Sequence, residues 1–304
     1  MVMIKRVLAL LGSGALAILL LRQAETAAQA VRDGVQLCLT SVIPALFPFF
    51  AVSSLLVALG AAEAAGRALA HPFRRLFRCG GAGCAALLLG LVGGYPVGAR
   101  TAAELVRRGE LSPAEGARLL TFCNNAGPAF AIGVAGVSVF GSARTGVWLY
   151  LLHCAAALLT GLLFCRRPLP VTAMPKRPVP PQTGLTGQFL RAVEGAVSAM
   201  ARVCGFVVFF LVLLRLAEGL IGPLPPLAAG VLELTNGILR LTPDRRGFVT
   251  AAALLSWGGL SVHCQTAAVT AGSGISLRPY LPAKAVQAAL SAGLAALLAP
   301  YLLP

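Results

Sequence analysis

Apolar residues in this chain cluster in long runs rather than alternating with polar ones. Seven runs come near the roughly 20 residues that a helix needs to cross a bilayer: residues 7–21, 35–59, 119–140, 146–164, 203–220, 248–269 and 283–303. Two more, 82–97 and 224–239, are shorter and interrupted by glycine or proline. Lipid offers no partner to unpaired backbone groups, so such runs form helices that open only where something else satisfies them. The pattern predicts an all-α, polytopic helical membrane protein with seven spans and two broken or re-entrant segments.

Two glycine pairs sharpen this picture. Gly93-Gly94-Tyr95-Pro96-Val97-Gly98-Ala99-Arg100-Thr101-Ala102-Ala103 and Gly258-Gly259-Leu260-Ser261-Val262-His263-Cys264-Gln265-Thr266-Ala267-Ala268 agree at six of eleven positions. Helices broken at corresponding places in two halves mark substrate pathways. A second parallel lies upstream, where Ala30-Val31 and Ala192-Val193 each open a 31-residue stretch that closes on Gly60 and Gly222. Between the halves runs a segment rich in proline and charge, unsuited to a buried helix. The expected organisation is therefore a membrane helix and loop at 1–29, a first membrane repeat at 30–165, a cytoplasmic Pro/Arg-rich linker at 166–191 and a second repeat at 192–304.

Composition agrees with a membrane protein. Hydrophobic residues make up 58% and charged residues 12%, where soluble domains carry about 25% charge; mean hydropathy is +0.84. The formal charge of +15 sits in arginine clusters between apolar runs, at 67–78, 107–108, 166–191 and 240–246. That is the distribution of cytoplasmic loops, and no basic face interleaved with aromatics invites nucleic acid. Met1-Val2-Met3-Ile4-Lys5-Arg6 and the following apolar run resemble a secretory signal, with Ala28-Gln29-Ala30 mimicking a cleavage site. The apolar run ends at Leu21, ahead of a charged gap, so a retained helix with a cytoplasmic amino end is expected. The eight cysteines lie mostly within apolar runs and the three histidines, His71, His153 and His263, are scattered. Reduced, packed thiols are expected, with no metal and no cofactor.

Candidate site residues are polar groups beside backbone breaks. Gly93, Gly94 and Pro96 should open a helix next to Tyr95, unless the small residues serve close packing. Asn124 and Asn125 precede Gly127 and Pro128 inside an apolar run, where two amides either line a ligand path or cap the next helix. Glu233, three residues before Asn236, either faces a pathway or neutralises one of Arg240, Arg245 and Arg246. Ser261, His263 and Gln265 alternate with apolar residues after Gly258 and Gly259, and an opened segment would direct them together; a histidine bonded to a neighbouring helix is the alternative. Arg100 and Glu104 form either a re-emergence point or a helical ion pair.

These motifs, with Glu115-Gly116-Ala117-Arg118-Leu119-Leu120 and Glu233-Leu234-Thr235-Asn236-Gly237, resemble those of the YlbJ-type sporulation integral membrane proteins, within the wider Gate-domain, or nucleoside-recognition, family. The resemblance runs in motif order from about residue 30 to 300. It implies a multi-pass protein of the cell membrane needed in spore envelope or cortex formation. By analogy with Gate domains of nucleoside and ferrous-iron transporters, it implies a carrier or permeation protein for a small polar solute or nucleoside-like ligand. A non-transporting scaffold for envelope assembly is the alternative. The chain has no Gly-x-x-x-x-Gly-Lys-Ser/Thr, His-Glu-x-x-His or Gly-x-Ser-x-Gly motif, so an enzyme is not expected.

Overall fold

The structure, a computed structural model, describes residues 2–59, 61–166, 169 and 184–302. Every regular element among them is helical. The chain opens with α1 (Val2–Arg22) and α2 (Ala24–Leu37), passes through a π-helical turn π1 (Cys38–Val42) into α3 (Ile43–Ala58), and continues with α4 (Ala61–Phe77). Then come α5 (Gly83–Gly93), α6 (Val97–Arg107), α7 (Pro113–Cys123), π2 (Ala129–Val139) and α8 (Ala143–Phe164). After the linker follow α9 (Leu185–Ile221), α10 (Pro226–Leu232), α11 (Leu234–Leu239), α12 (Arg245–Trp257), α13 (Gly259–Thr270) and α14 (Tyr280–Leu302). Most of the expected linker, 167–168 and 170–183, lies outside the described residues, and 185–191 already belongs to α9.

Among the described residues, four helices are long and apolar enough to cross a membrane: α8 with 22 residues, α9 with 37, Arg245–Thr270 (α12 and α13) with 26 and α14 with 23. The pair Arg6–Arg22 and Ala24–Val42 adds a fifth if its arms, bent by 93°, make one span. Their outer faces expose Leu158, Leu162, Phe209, Leu220 and Leu297, an arrangement that lipid favours and water does not. The seven runs of the sequence thus yield four or five spans. Hydrophobicity along a run does not register unwinding, and the run at 119–140 is divided into α7 and π2 by four non-helical residues, 124–127.

Local sequence explains where helices begin. At α7, Glu115 N–H donates to Ser112 Oγ (3.2 Å), Ser112 N–H donates to Glu115 Oε2 (2.9 Å), and Pro113 fills the first turn. This reciprocal cap satisfies two orphan donors. Asp244 caps α12 by accepting from Gly247 N–H at 2.6 Å. Two helix pairs double back on themselves through contacts that only glycine permits. A Cβ on Gly90 in α5 would lie 2.9 Å from Gly98 Cα in α6, and one on Gly237 in α11 would lie 2.1 Å from Gly230 Cα in α10.

Four packed regions are found among the described residues, one of them joining α1, α2, α9 and α10 around Ala30, Leu211, Leu214 and Ala229. α8, π2, α12 and α14 share a core containing Phe130, Leu149, Phe248 and Leu255. α4 to α7 close around Phe73, Phe77 and Phe122, with the last two rings stacked at 4.6 Å. α9 lies along α2, π1 and α3, packing Met200, Val203 and Val207 against Cys38, Val42 and Phe50. Gly34 lets α2 come close enough that a Cβ there would sit 3.1 Å from Val208 Cα.

Candidate functional site

Four interruptions of helix meet in the interior: residues 94–96, residues 124–127, Glu233, and Gly258 with Gly259. A Cβ on Gly94 would lie 2.8 Å from Gly127 N, one on Gly258 3.1 Å from the Tyr95 ring, and one on Gly259 3.0 Å from Gly230 O. Gly94 at φ 76° and Gly258 at φ 89° hold left-handed backbone that a side chain would strain. Where the breaks meet, a cavity of about 50 Å³ is lined by Gly94, Tyr95, Gly127, Glu233, Thr235 and Gln265, with apolar walls from π1, π2 and α9. That space holds a few water molecules and falls well short of the roughly 300 Å³ of a drug-sized pocket.

Glu233 is 2% exposed. Its Oε1 accepts from Thr235 N–H at 3.1 Å, and its Oε2 accepts from the backbone N–H and side-chain amide of Asn236 at 2.8 and 2.7 Å. The carboxylate therefore caps α11, where the helix dipole favours negative charge. Arg240 does not neutralise it. Arg240 pairs with Glu218, which also takes Arg215 at 3.4 Å and Leu224 N–H at 3.1 Å. Of the two sequence readings, the structure keeps Glu233 inside, on the cavity wall.

Behind Tyr95 lies a second polar group built from both halves. Lys284 of α14, fully buried, donates to Asn124 O at 2.8 Å and Gln287 Oε1 at 2.7 Å. Gln287 Nε2 donates to Asn125 Oδ1 at 3.0 Å, and Asn125 Nδ2 donates to Phe122 O at 2.7 Å. An ammonium only donates and a carbonyl only accepts, so the two ends of this chain fix the orientation of both amides. Asn124 Nδ2 donates to Thr266 Oγ1 (2.8 Å) and Tyr280 OH (3.2 Å), and Tyr280 OH also meets His263 Nδ1 at 3.2 Å. His153 Nε2 accepts from Ala126 N–H at 3.1 Å, which leaves Nδ1–H to donate to Ser256 Oγ at 2.9 Å. Two backbone groups of the unwound stretch 124–127, Asn124 O and Ala126 N–H, thus meet side chains, and Gly127 O accepts from Ala131 N–H at 3.0 Å, as buried backbone outside a helix requires. Within this group, Asn124 Oδ1 and His263 Nε2 are buried without a hydrogen-bond partner.

The expected site residues separate into these two groups. Tyr95, Glu233 and Gln265 line the cavity; Asn236 reaches it through Glu233, and Ser261 Oγ accepts from Gln265 Nε2 at 3.3 Å. Asn124, Asn125 and His263 belong to the lysine group. The alternation expected of Ser261, His263 and Gln265 is not how they gather, because α13 is helical and places Ser261 and Gln265, four apart, on one face. His263 turns the other way, edge-on between Trp257 and Tyr280. Arg100 does not pair with Glu104, which instead meets Arg108 at 2.8 Å and Arg107 at 3.8 Å. Lys284, Gln287, Thr266, Tyr280, His153 and Ser256 were not singled out by the sequence reading. The glycine pairs also occupy unlike places: Gly93 and Gly94 end one arm of a doubled-back pair, whereas Gly258 and Gly259 interrupt a single span.

Residues 39–143 match the family described as Gate, nucleoside recognition. This region runs from π1 to the start of α8 and includes the breaks at 94–96 and 124–127. The chain is 27% identical over 315 aligned positions to the Sporulation integral membrane protein YlbJ of Bacillus subtilis (strain 168), across 87% of this chain and 75% of the relative. No solved structure matches. The chain is thus an integral membrane protein with a Gate match, related to a sporulation protein.

Proposed function

We propose that this chain passes a small polar solute across the membrane through a site between two pseudo-repeated halves. Each half runs in one order through a doubled-back pair, an interrupted helix and a long helix: α5/α6, α7–π2 and α8, then α10/α11, α12–α13 and α14. In this pairing the counterpart of the 94–96 turn is Glu233, and that of 124–127 is Gly258 with Gly259. We read α5/α6 and α10/α11 as re-entrant hairpins whose tips meet at mid-membrane, the architecture in which opened backbone is tolerated because it lines a cavity.

One observation carries this reading: breaks from both halves converge on a single cavity holding a buried carboxylate and a side-chain amide. The unpartnered Asn124 Oδ1 and His263 Nε2 add unmet hydrogen-bonding capacity nearby, which a polar solute would offset. A nucleoside-sized solute needs the tips to part, since the space between them now fits only a few waters. The sporulation relative and the motif resemblance support a role in forming the spore envelope or cortex.

The test is solute flux in proteoliposomes, with nucleosides and small polar anions as cargo, comparing the wild type with Glu233→Gln and Gln265→Ala. Loss of at least about tenfold in flux, about 1.4 kcal/mol of barrier, with the thermal midpoint held near that of the wild type, is the expected result. Flux of every solute at wild-type rates in both variants would remove the pathway. Absence of any flux in the wild type would favour a scaffold that holds other envelope proteins.

A further inference from the structure

We propose that Lys284 is a tethered cation, seated where a monovalent metal ion would otherwise bind, so that the protein needs no sodium or potassium at this site. Lys284 is the fifth residue of α14, at the end of that helix where its own dipole gives positive charge no support. It pairs with no carboxylate among the described residues. Neither helix formation nor ion pairing therefore accounts for an ammonium fully buried in a span long and apolar enough to cross a membrane, where an unpaired charge is costly and is retained for function.

The groups given to Nζ are all electron-rich acceptors. Nζ lies 2.8 Å from Asn124 O and 2.7 Å from Gln287 Oε1, and 5.3 Å from the centre of the Tyr95 ring. Two carbonyl oxygens and one aromatic face meet the three N–H bonds of an ammonium. Asn124 is the C-terminal cap of α7, whose dipole presents partial negative charge there. Gln287 is held with its oxygen towards Nζ by the amide relay through Asn125 to Phe122 O. Asn124 Oδ1, on the same residue as the first ligand, is an acceptor without a donor. Carbonyl oxygens are the ligands that hard cations take, and the two here would leave a monovalent ion's remaining places to water and to Asn124 Oδ1. The Tyr95 ring that covers Lys284 also forms the cavity wall, so the charge sits immediately behind the solute position.

The test replaces the tether and supplies the ion. Thermal midpoints of the wild type, Lys284→Ala and Lys284→Gln are measured in sodium, potassium and choline chloride at equal ionic strength. The wild type should melt at one temperature in all three. Both variants should melt lower in choline and regain roughly 2–5 °C in about 100 mM sodium or potassium, as binding to the folded state alone requires. Adding Gln287→Ala to either variant should abolish the regain. A wild type that gains stability in sodium or potassium over choline overturns the proposal, and so do variants indifferent to all three salts. Failure of both variants to fold in any of these salts overturns it too, because a metal ion is then no substitute. None of these readouts uses flux, so they stand or fall apart from the transport reading. The consequence that rests on that reading is flux insensitive to a sodium gradient.

Discussion

Gly98→Ala tests the central packing, because the added methyl has nowhere to go. Its Cβ would lie 1.9 Å from Cys123 O, 2.8 Å from Cys123 C and 3.0 Å from Gly90 Cα. An ordinary C···O contact is about 3.3 Å, so α6 would have to withdraw by more than about 1 Å from the end of α7. All three neighbours are backbone, and no side chain can rotate aside. Overpacking of this kind costs about 1–3 kcal/mol and sometimes more. Alanine returns at most about 1 kcal/mol of helix propensity, so the expected net loss is about 2 kcal/mol. The matched control is Gly293→Ala in α14, where nothing lies within 4 Å of the new methyl; it should be neutral or slightly stabilising. Thermal unfolding of purified protein in detergent should place Gly98→Ala about 5 °C or more below the control. Coincident midpoints would refute the close approach of the doubled-back pair to the break at 124–127.

Two further outcomes follow from the hydrogen bonding. His153→Phe keeps the bulk but strands Ala126 N–H and Ser256 Oγ, so it should lower stability by about 2–3 kcal/mol; hydrogen exchange at Ala126 should rise with it, and unchanged protection would count against the bond. At Asp244, Gly247 N–H and the Thr242 hydroxyl, which donates at 2.9 Å, hold the carboxyl below the usual carboxylate range. A depressed folded-state value means its stabilisation is complete above the ordinary carboxylate pKa and lost as pH falls through the lower value. The midpoint difference between wild type and Asp244→Ala should be constant near neutrality and shrink only in acid; a difference that grows in acid would contradict the assignment.

The positions of the breaks were legible because their causes are local. Gly94, Gly258 and Gly259 carry their effect in their own positive φ, and Pro96 and Pro128 in a missing N–H, so they and the adjoining Gly93 and Gly127 stand out in an apolar run whatever surrounds them. The kind of break was not legible. A glycine pair permits both a reversal and an interruption within one span, and contacts such as Gly90 against Cys123 decide which. Glu233 was found because a carboxylate in an apolar stretch is rare, but its role as a cap depended on Thr235 and Asn236 starting a helix of six residues. Lys284 was passed over as the margin of the run at 283–303. A signal existed: Lys284, Gln287 and Ser291 follow at three and seven residues, the spacing of one helix face, and all three are fully buried. His153 gave no such signal, since its partners are 27 and 103 residues away.

α9 has 37 residues, about 55 Å of helix at 1.5 Å per residue, nearly twice the roughly 30 Å of hydrocarbon in a bilayer. Because it follows the linker yet is sheathed by α2 and α3, which precede it, it acts as a splint between the two parts of the chain. That lateral seam joins the core that α8 and π2 share with α12 and α14 in holding the two parts together by packing. Packing of this kind does not depend on an unbroken chain, so a chain severed within 170–183 and supplied as two polypeptides should reassemble.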